Sequence, residues 1–377
     1  MPDSITPGQI RQNNQNLIYR YLYANKAVSQ QDICSSLHLS RPTVTGNLAD
    51  LEKKGMICKS GQVSTEYAGR KASAYSIVPD YRISVGVEIL NNELKIIAVD
   101  LYGNMIDRRV YLMQYANEDA YFKNASANIL SFIDSLGVSQ ERILGIGFAL
   151  QGLISPDQNR VIYGKILNCT GLSAVAFSRY LPFPCSFIHD SESAAVSELW
   201  VSPNLNDAFY LSVGWHLGAA VIRDGKILSG RHGHNATIEH IQMRPTGAIC
   251  YCGKQGCMET LCSLTALLND GETPDFFFEK LRSGSAEHTH RWEIFLTDLA
   301  ASINMLHLVH DTDFILGGYL ASYLREEDLT ALYRRIRQLT PFPEADDFLS
   351  ISKMPQHSIT IGAALPYIRD FLTLKEI

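Results

Sequence analysis

The chain has 377 residues, 46% of them hydrophobic and 19% charged, enough to build two or three buried cores and too apolar for disorder. No run reaches the roughly 18 apolar residues that cross a bilayer, so no membrane partner is expected. The first ten residues lack a basic stretch followed by an apolar one, so the expectation is a soluble, cytoplasmic protein without a secretory signal.

The net charge of −6 is unevenly spread. Residues 1–79 carry nine Lys/Arg against five Asp/Glu, and the remainder carries 24 against 34. A basic head on an acidic body points only the head at a polyanion. Eight cysteines stand at positions 34, 58, 169, 185, 250, 252, 257 and 262. Four of them fall within thirteen residues. In a cytosolic chain that clustering favours a metal over disulfides.

In chain order, a first helix is expected from about Thr6 to Asn25, with Ile10, Leu17, Ile18, Tyr21 and Leu22 on one face. A second starts at Ser29, with Asp32 three residues on as a capping box. Ser40 is placed to cap a third, with Pro42 in its first turn. Val44, Leu48 and Leu51 form its apolar stripe and Gly55 its C-terminal stop. Arg41, Thr43, Thr45 and Asn47 are expected on the opposite, exposed face, as in a recognition helix that enters the major groove. Met56-Ile57 and Ala74–Ile77 read as two strands of a wing. Gly69, Arg70 and Lys71 lie between them and could follow a minor groove. Residues 1–79 therefore read as a winged helix-turn-helix that binds double-stranded operator DNA. The competing reading is a three-helix protein-interaction module.

From Tyr81 the pattern alternates. Strands are expected at Ile83–Ile89, Leu94–Asp100, Met105–Leu112, Ile143–Leu150, Ala208–Val213, Ala219–Ile222 and Asp313–Leu316. Helices are expected at Tyr121–Leu136 and Asp190–Leu199. Two such sets imply two α/β lobes with a cleft between them.

The most specific motif is His240-x9-Cys250-Tyr-Cys252-Gly253-Lys-Gln-Gly256-Cys257-Met-Glu259. In it and in the order of the other motifs, the chain resembles the repressor–ORF–kinase (ROK) family, which joins sugar kinases to transcriptional repressors. The resemblance spans nearly the whole chain. It implies an actin-like, ribonuclease-H-like body of two lobes, residues 80–200 and 201–359, with a C-terminal helix near 360–377 returning to the first. It also implies a structural zinc held by His240, Cys250, Cys252 and Cys257. One imidazole and three thiolates make a closed tetrahedral set, which suits that role. His232 and His234 are alternative imidazole donors outside the family register, and Cys262 reads as a buried hydrophobe.

The family's kinases open with a strand and DxGGT. Here the stretch is Gly86-Val-Glu88-Ile-Leu90-Asn91-Asn92, with the glycines and threonine gone. Their second phosphate loop, GTGxG, is Gly214-Trp215-His216-Leu217-Gly218. Gly317-Gly318 alone keeps the look of the adenosine-side loop. Phosphoryl transfer depends on backbone that cradles phosphates, so no kinase activity is expected.

For the sugar pocket, the resemblance implies His189-Asp190 at the family's Asn-Asp pair, Asp190 at the kinase-base position. Thr237 replaces the Glu of GEIGH, and Glu239 the next Gly. His240 and Glu259 are retained, and Gly152 keeps the glycine of a PG turn. Such a pocket suits a pentose or a sugar derivative as well as a hexose. The implied protein is a sugar-responsive repressor, dimeric on its operator. A sugar kinase with a fused DNA-binding head, a regulator governed by a protein partner, and a redox or metal sensor are the alternatives.

Overall fold

The computed structural model describes residues 6–63, 72–342 and 347–373. Gly69, Arg70 and Lys71 lie outside the described residues. The head begins with three helices, α1 (Pro7–Asn25), α2 (Gln30–Leu37) and α3 (Arg41–Lys53). Their starts are dictated locally. Thr6, Ser29 and Ser40 each accept a hydrogen bond from the backbone N–H three residues on, and the first two complete capping boxes with Gln9 and Asp32. Strands β1 (Ile57–Val63) and β2 (Ala72–Ile77) follow as an antiparallel pair, and Val28–Ser29 adds a third short strand to β2.

The apolar stripe of α1 differs from the sequence expectation. Ile18, Tyr19 and Leu22 are buried, whereas Ile10 and Leu17 face solvent. The reason is tertiary. Helices α2 and α3 cover one side of α1, and a helix from the far end of the chain covers the next.

The body begins with β3 (Ile83–Ile89), β4 (Glu93–Val99) and β5 (Met105–Leu112), then α4 (Asp119–Ser135) and β6 (Ile143–Leu150). Strand β7 (Cys185–His189) runs directly into α5 (Asp190–Val201). The sheet order is β7-β6-β3-β4-β5, with β7, β6 and β3 parallel. A second sheet holds β8 (Ala208–Val213), β9 (Leu217–Arg223), β10 (Phe314–Gly317) and β11 (Leu349–Ile351), in the order β9-β8-β10-β11 with a short edge strand beyond β9. Helices α6 (Pro274–Arg282), α7 (Ala286–Val309) and α8 (Glu326–Leu339) pack around this sheet.

The last helix, α9 (Ser358–Thr373), crosses back to the first sheet and lies on β3, β6 and α5. Glycines make room for it. A Cβ on Gly86 or Gly147 would stand 1.8 Å from the carbonyl oxygens of Thr360 and Ala363. The outer side of α9 faces the head. Ile361, Leu365, Ile368 and Phe371 share one core with Ile18, Tyr19 and Leu22 of α1 and Ile97 and Val99 of β4. The Tyr19 and Phe371 rings meet edge to face at 6.4 Å, Tyr23 stacks on Tyr102 at 4.9 Å, and the Arg20 guanidinium donates to the Leu372 carbonyl.

Candidate functional site

Where β7 hands over to α5, a cavity of about 310 Å³ opens between the two sheets. Asp190 is the first residue of α5, and the helix N-terminus places partial positive charge beneath its carboxylate. Its Oδ1 accepts from the Ser191 backbone N–H at 2.7 Å and lies 3.5 Å from His189 Nε2. The other ring nitrogen of His189 is held at 2.7 Å by the Ser191 hydroxyl, which donates to the Ala219 carbonyl. Gly152, Thr237 and His240 also line the cavity. A Cβ at Gly152 would stand 2.9 Å from the Tyr163 carbonyl, so glycine keeps that wall thin.

Glu259 is placed differently. It is buried and does not line the cavity. Its two oxygens take the His216 ring nitrogen Nδ1 and the Leu217 backbone N–H, each at 2.7 Å. Glu259 thus fixes His216, which does line the cavity. Glu239 lines it as well, and burial, with the charges of Glu259 and Asp190 adding to it, pushes its carboxyl up to about 7. Tyr251 packs edge-on against His216 and His240, at 5.3 and 5.1 Å between ring centres. Tyr163 ends the short strand Val161–Tyr163, and Lys165 lies in the turn that follows it. Neither carries a local sequence signal, because nothing near them in the chain announces a cavity.

Beside the cavity, His240, Cys250, Cys252 and Cys257 bring one ligand atom each to within 4.8 Å of one another. The Cys252 and Cys257 sulfurs lie 3.7 Å apart, as do Cys250 Sγ and His240 Nδ1. Such a His/Cys₃ cluster can hold a metal ion. The loop between the ligands needs its glycines, since Gly253 and Gly256 have φ of 90° and 66° and a Cβ on Gly256 would collide with the Arg244 carbonyl. Cys262 sits apart against the Ser302 hydroxyl, and His234 faces the cavity instead of the cysteines.

The stretch from Glu88 to Asn92 is engaged in contacts of its own. Glu88 is buried, accepting from the Tyr319 hydroxyl at 2.8 Å and the Thr360 hydroxyl at 3.0 Å. Lys95 reaches the same Tyr319 hydroxyl at 2.5 Å. The Asn91 and Asn92 carbonyls accept from the Tyr115 and Met113 backbone N–H groups.

On the head, Arg41, Pro42 and Thr45 are exposed at the start of α3, and Thr43 is half-buried. Asn47 corrects the sequence expectation. It is buried, with its amide donating to the Thr43 carbonyl at 2.8 Å, because α1 and α2 pack against α3.

A winged helix-turn-helix joined to a two-lobed body with an interlobe cavity defines a class in which a DNA-binding head is coupled to a small-molecule body. The ROK family pattern matches residues 84–367 and a winged helix-turn-helix DNA-binding pattern matches residues 11–57, and the chain belongs to the ROK family. It is 27% identical over 263 residues to the N-acetylglucosamine repressor of Escherichia coli O157:H7, covering 68% of this chain and 64% of that protein. It is 22% identical over 395 residues to the xylose repressor of Caldicellulosiruptor bescii, covering 97% of this chain and 98% of that one. The fold matches a crystal structure of a ROK family transcriptional regulator, a homologue of the E. coli MLC protein, with a TM-score of 0.74 at 20% identity, over 97% and 98% of the two chains. Sugar kinases of the family also share the body fold.

Proposed function

We propose that this protein is a cytoplasmic DNA-binding transcriptional repressor of carbohydrate-utilisation genes, whose ROK body takes a sugar or sugar derivative as effector. The observation that carries the reading is the single core shared by α1 of the head and α9 of the body. Helix α9 packs on α5, whose first residue is Asp190 in the cavity. A close-packed interior transmits small displacements, so a shift of α5 on ligand binding reaches the head. The effect on DNA follows only if the ligand binds the two lobe arrangements unequally. In a homodimer, the changed spacing of two heads no longer fits two half-sites.

In this reading Asp190, His189, Thr237 and His240 meet the sugar hydroxyls, Gly152 allows close approach, and Glu259 acts through His216. Arg41, Pro42, Thr43 and Thr45 face the major groove. Gly69, Arg70 and Lys71 are assigned to the minor groove from sequence alone. Zinc is the metal assigned to His240, Cys250, Cys252 and Cys257. The 3.7 Å sulfur spacing fits the edge of a tetrahedron with Zn–S bonds of about 2.3 Å. Bound there, zinc would brace the Tyr251 and His240 wall of the cavity. Phosphoryl transfer is not expected, because Glu88 is committed to Tyr319 and Thr360 and the hairpin after it offers no glycine cradle.

The test is a thermal-stability screen of the purified chain against sugars and sugar phosphates, followed by operator binding with each hit. A ligand that stabilises the protein and changes its operator affinity supports the reading. ATP-dependent phosphorylation of the same ligand, abolished by Asp190→Asn, sinks it.

A further inference from the structure

Taking the interlobe cavity as a saccharide site, as proposed above, we infer that the effector is a disaccharide or longer glycoside, with its second ring stacked on Trp215 in the space beside the Asn91-Asn92 hairpin. A second cavity of about 630 Å³ adjoins the first and shares five of its wall residues, Gln151, Lys165, Ile166, His216 and Tyr251. The two spaces are neighbouring parts of one cleft, and the smaller lies near the low end of the ~300–1,000 Å³ usual for ligand sites.

The walls of the second space are informative. Trp215 lines it and is 38% exposed, whereas Trp292 is buried in its own lobe's core. An indole left open at a cleft wall presents a flat apolar face, and the C–H face of a pyranose fits such a surface. Asn91, Asn92 and Gln151 supply neutral amides, which both donate to and accept from vicinal hydroxyls. Gln114 holds Asn91, its amide donating to Asn91 Oδ1 at 3.0 Å.

Charge argues against a phosphate in the same place. Its wall carries one cation, Lys165, and one carboxylate, Glu93, and among the described residues no arginine lines it. At the hairpin the Leu90 N–H is already taken, donating to the Glu93 carbonyl at 3.0 Å. A phosphoryl group needs several free N–H donors or convergent cations. A neutral polyol needs neither.

The test measures calorimetric affinity of the full chain for glucose, xylose and N-acetylglucosamine, their phosphates, and maltose, cellobiose, xylobiose and chitobiose. The expected result is one disaccharide at least tenfold tighter than its constituent monosaccharide, with a change in tryptophan emission. In Trp215→Ala the disaccharide-to-monosaccharide ratio should fall to near one, and Trp215→Phe should restore most of it. The melting temperature without ligand checks that both variants are folded. A monosaccharide that binds as tightly as every disaccharide overturns the second subsite and leaves the saccharide reading standing. So does a sugar phosphate that binds tightest and loses its gain in Lys165→Met. Failure of every saccharide to bind overturns the effector reading itself.

Discussion

Replacing Gly362 by alanine tests the contact on which the coupling rests. A Cβ there would stand 1.8 Å from the Ser193 carbonyl oxygen and 2.6 Å from its carbon. Ordinary contact needs about 3.4 Å or more, so α9 and α5 must part by roughly 1.5 Å. Both obstructing atoms are backbone and cannot rotate aside. The same movement stretches two buried hydrogen bonds of 2.6 Å, from the Ser193 hydroxyl to the Ile359 carbonyl and from the Ser197 hydroxyl to the Ser358 carbonyl. Overpacking costs about 1–3 kcal/mol, and each lost bond costs about 1 kcal/mol. A loss of about 3–5 kcal/mol is expected, which lowers the melting temperature by roughly 10 °C in a body of this size. Gly46→Ala is the matched control. It lies on the exposed side of α3 with no atom within 4 Å of the added Cβ, so it should stabilise by about 0.5–1 kcal/mol. Scanning calorimetry of the three proteins reads both signs. A drop of less than about 2 °C for Gly362→Ala would refute the claim that α9 and α5 are locked together.

Three further outcomes are expected. Removing metal with a strong chelator, or replacing Cys252 by Ser, should lower the melting temperature of the body, and atomic absorption should find about one zinc per untreated chain; a chain that holds none argues against the site. Burial, with Arg108 and Lys95 nearby, holds His357 below its usual range, and Arg108 donates to it at 2.8 Å. A depressed histidine contributes stability that is present above its unfolded value of about 6.5 and is lost as pH falls. Stability should therefore decline below pH 6.5, and less steeply in His357→Asn; identical urea-denaturation profiles from pH 5 to 7 would contradict this. Arg41→Ala should weaken binding to operator DNA, measured by fluorescence anisotropy. Thr45→Ala should change sequence preference more than overall affinity.

Much of the fold was legible because its signals are local. The capping residues Thr6, Ser29 and Ser40 act three residues away, and the strands Ile83–Ile89 and Ala208–Val213 are bounded by their own apolar runs. The cysteine cluster was legible for the same reason, since its glycines and three of its donors lie within eight residues. The helices α6 to α8 were less so, because their packing partners are each other and a distant sheet.

The amino-acid order by itself determined the starts of the three head helices, most of the sheet strands, the spacing of the His/Cys₃ cluster and the absence of glycine between Leu90 and Asn92. Each of these is set by neighbours a few positions apart. Only the tertiary structure decided that Asn47 turns inward, that Glu259 serves His216 and not the cavity, that Lys165 and Tyr251 complete the cleft, and that Tyr19 meets Phe371. Those outcomes depend on which surfaces the folded chain brings together across hundreds of residues, and periodicity along a single element carries no record of them.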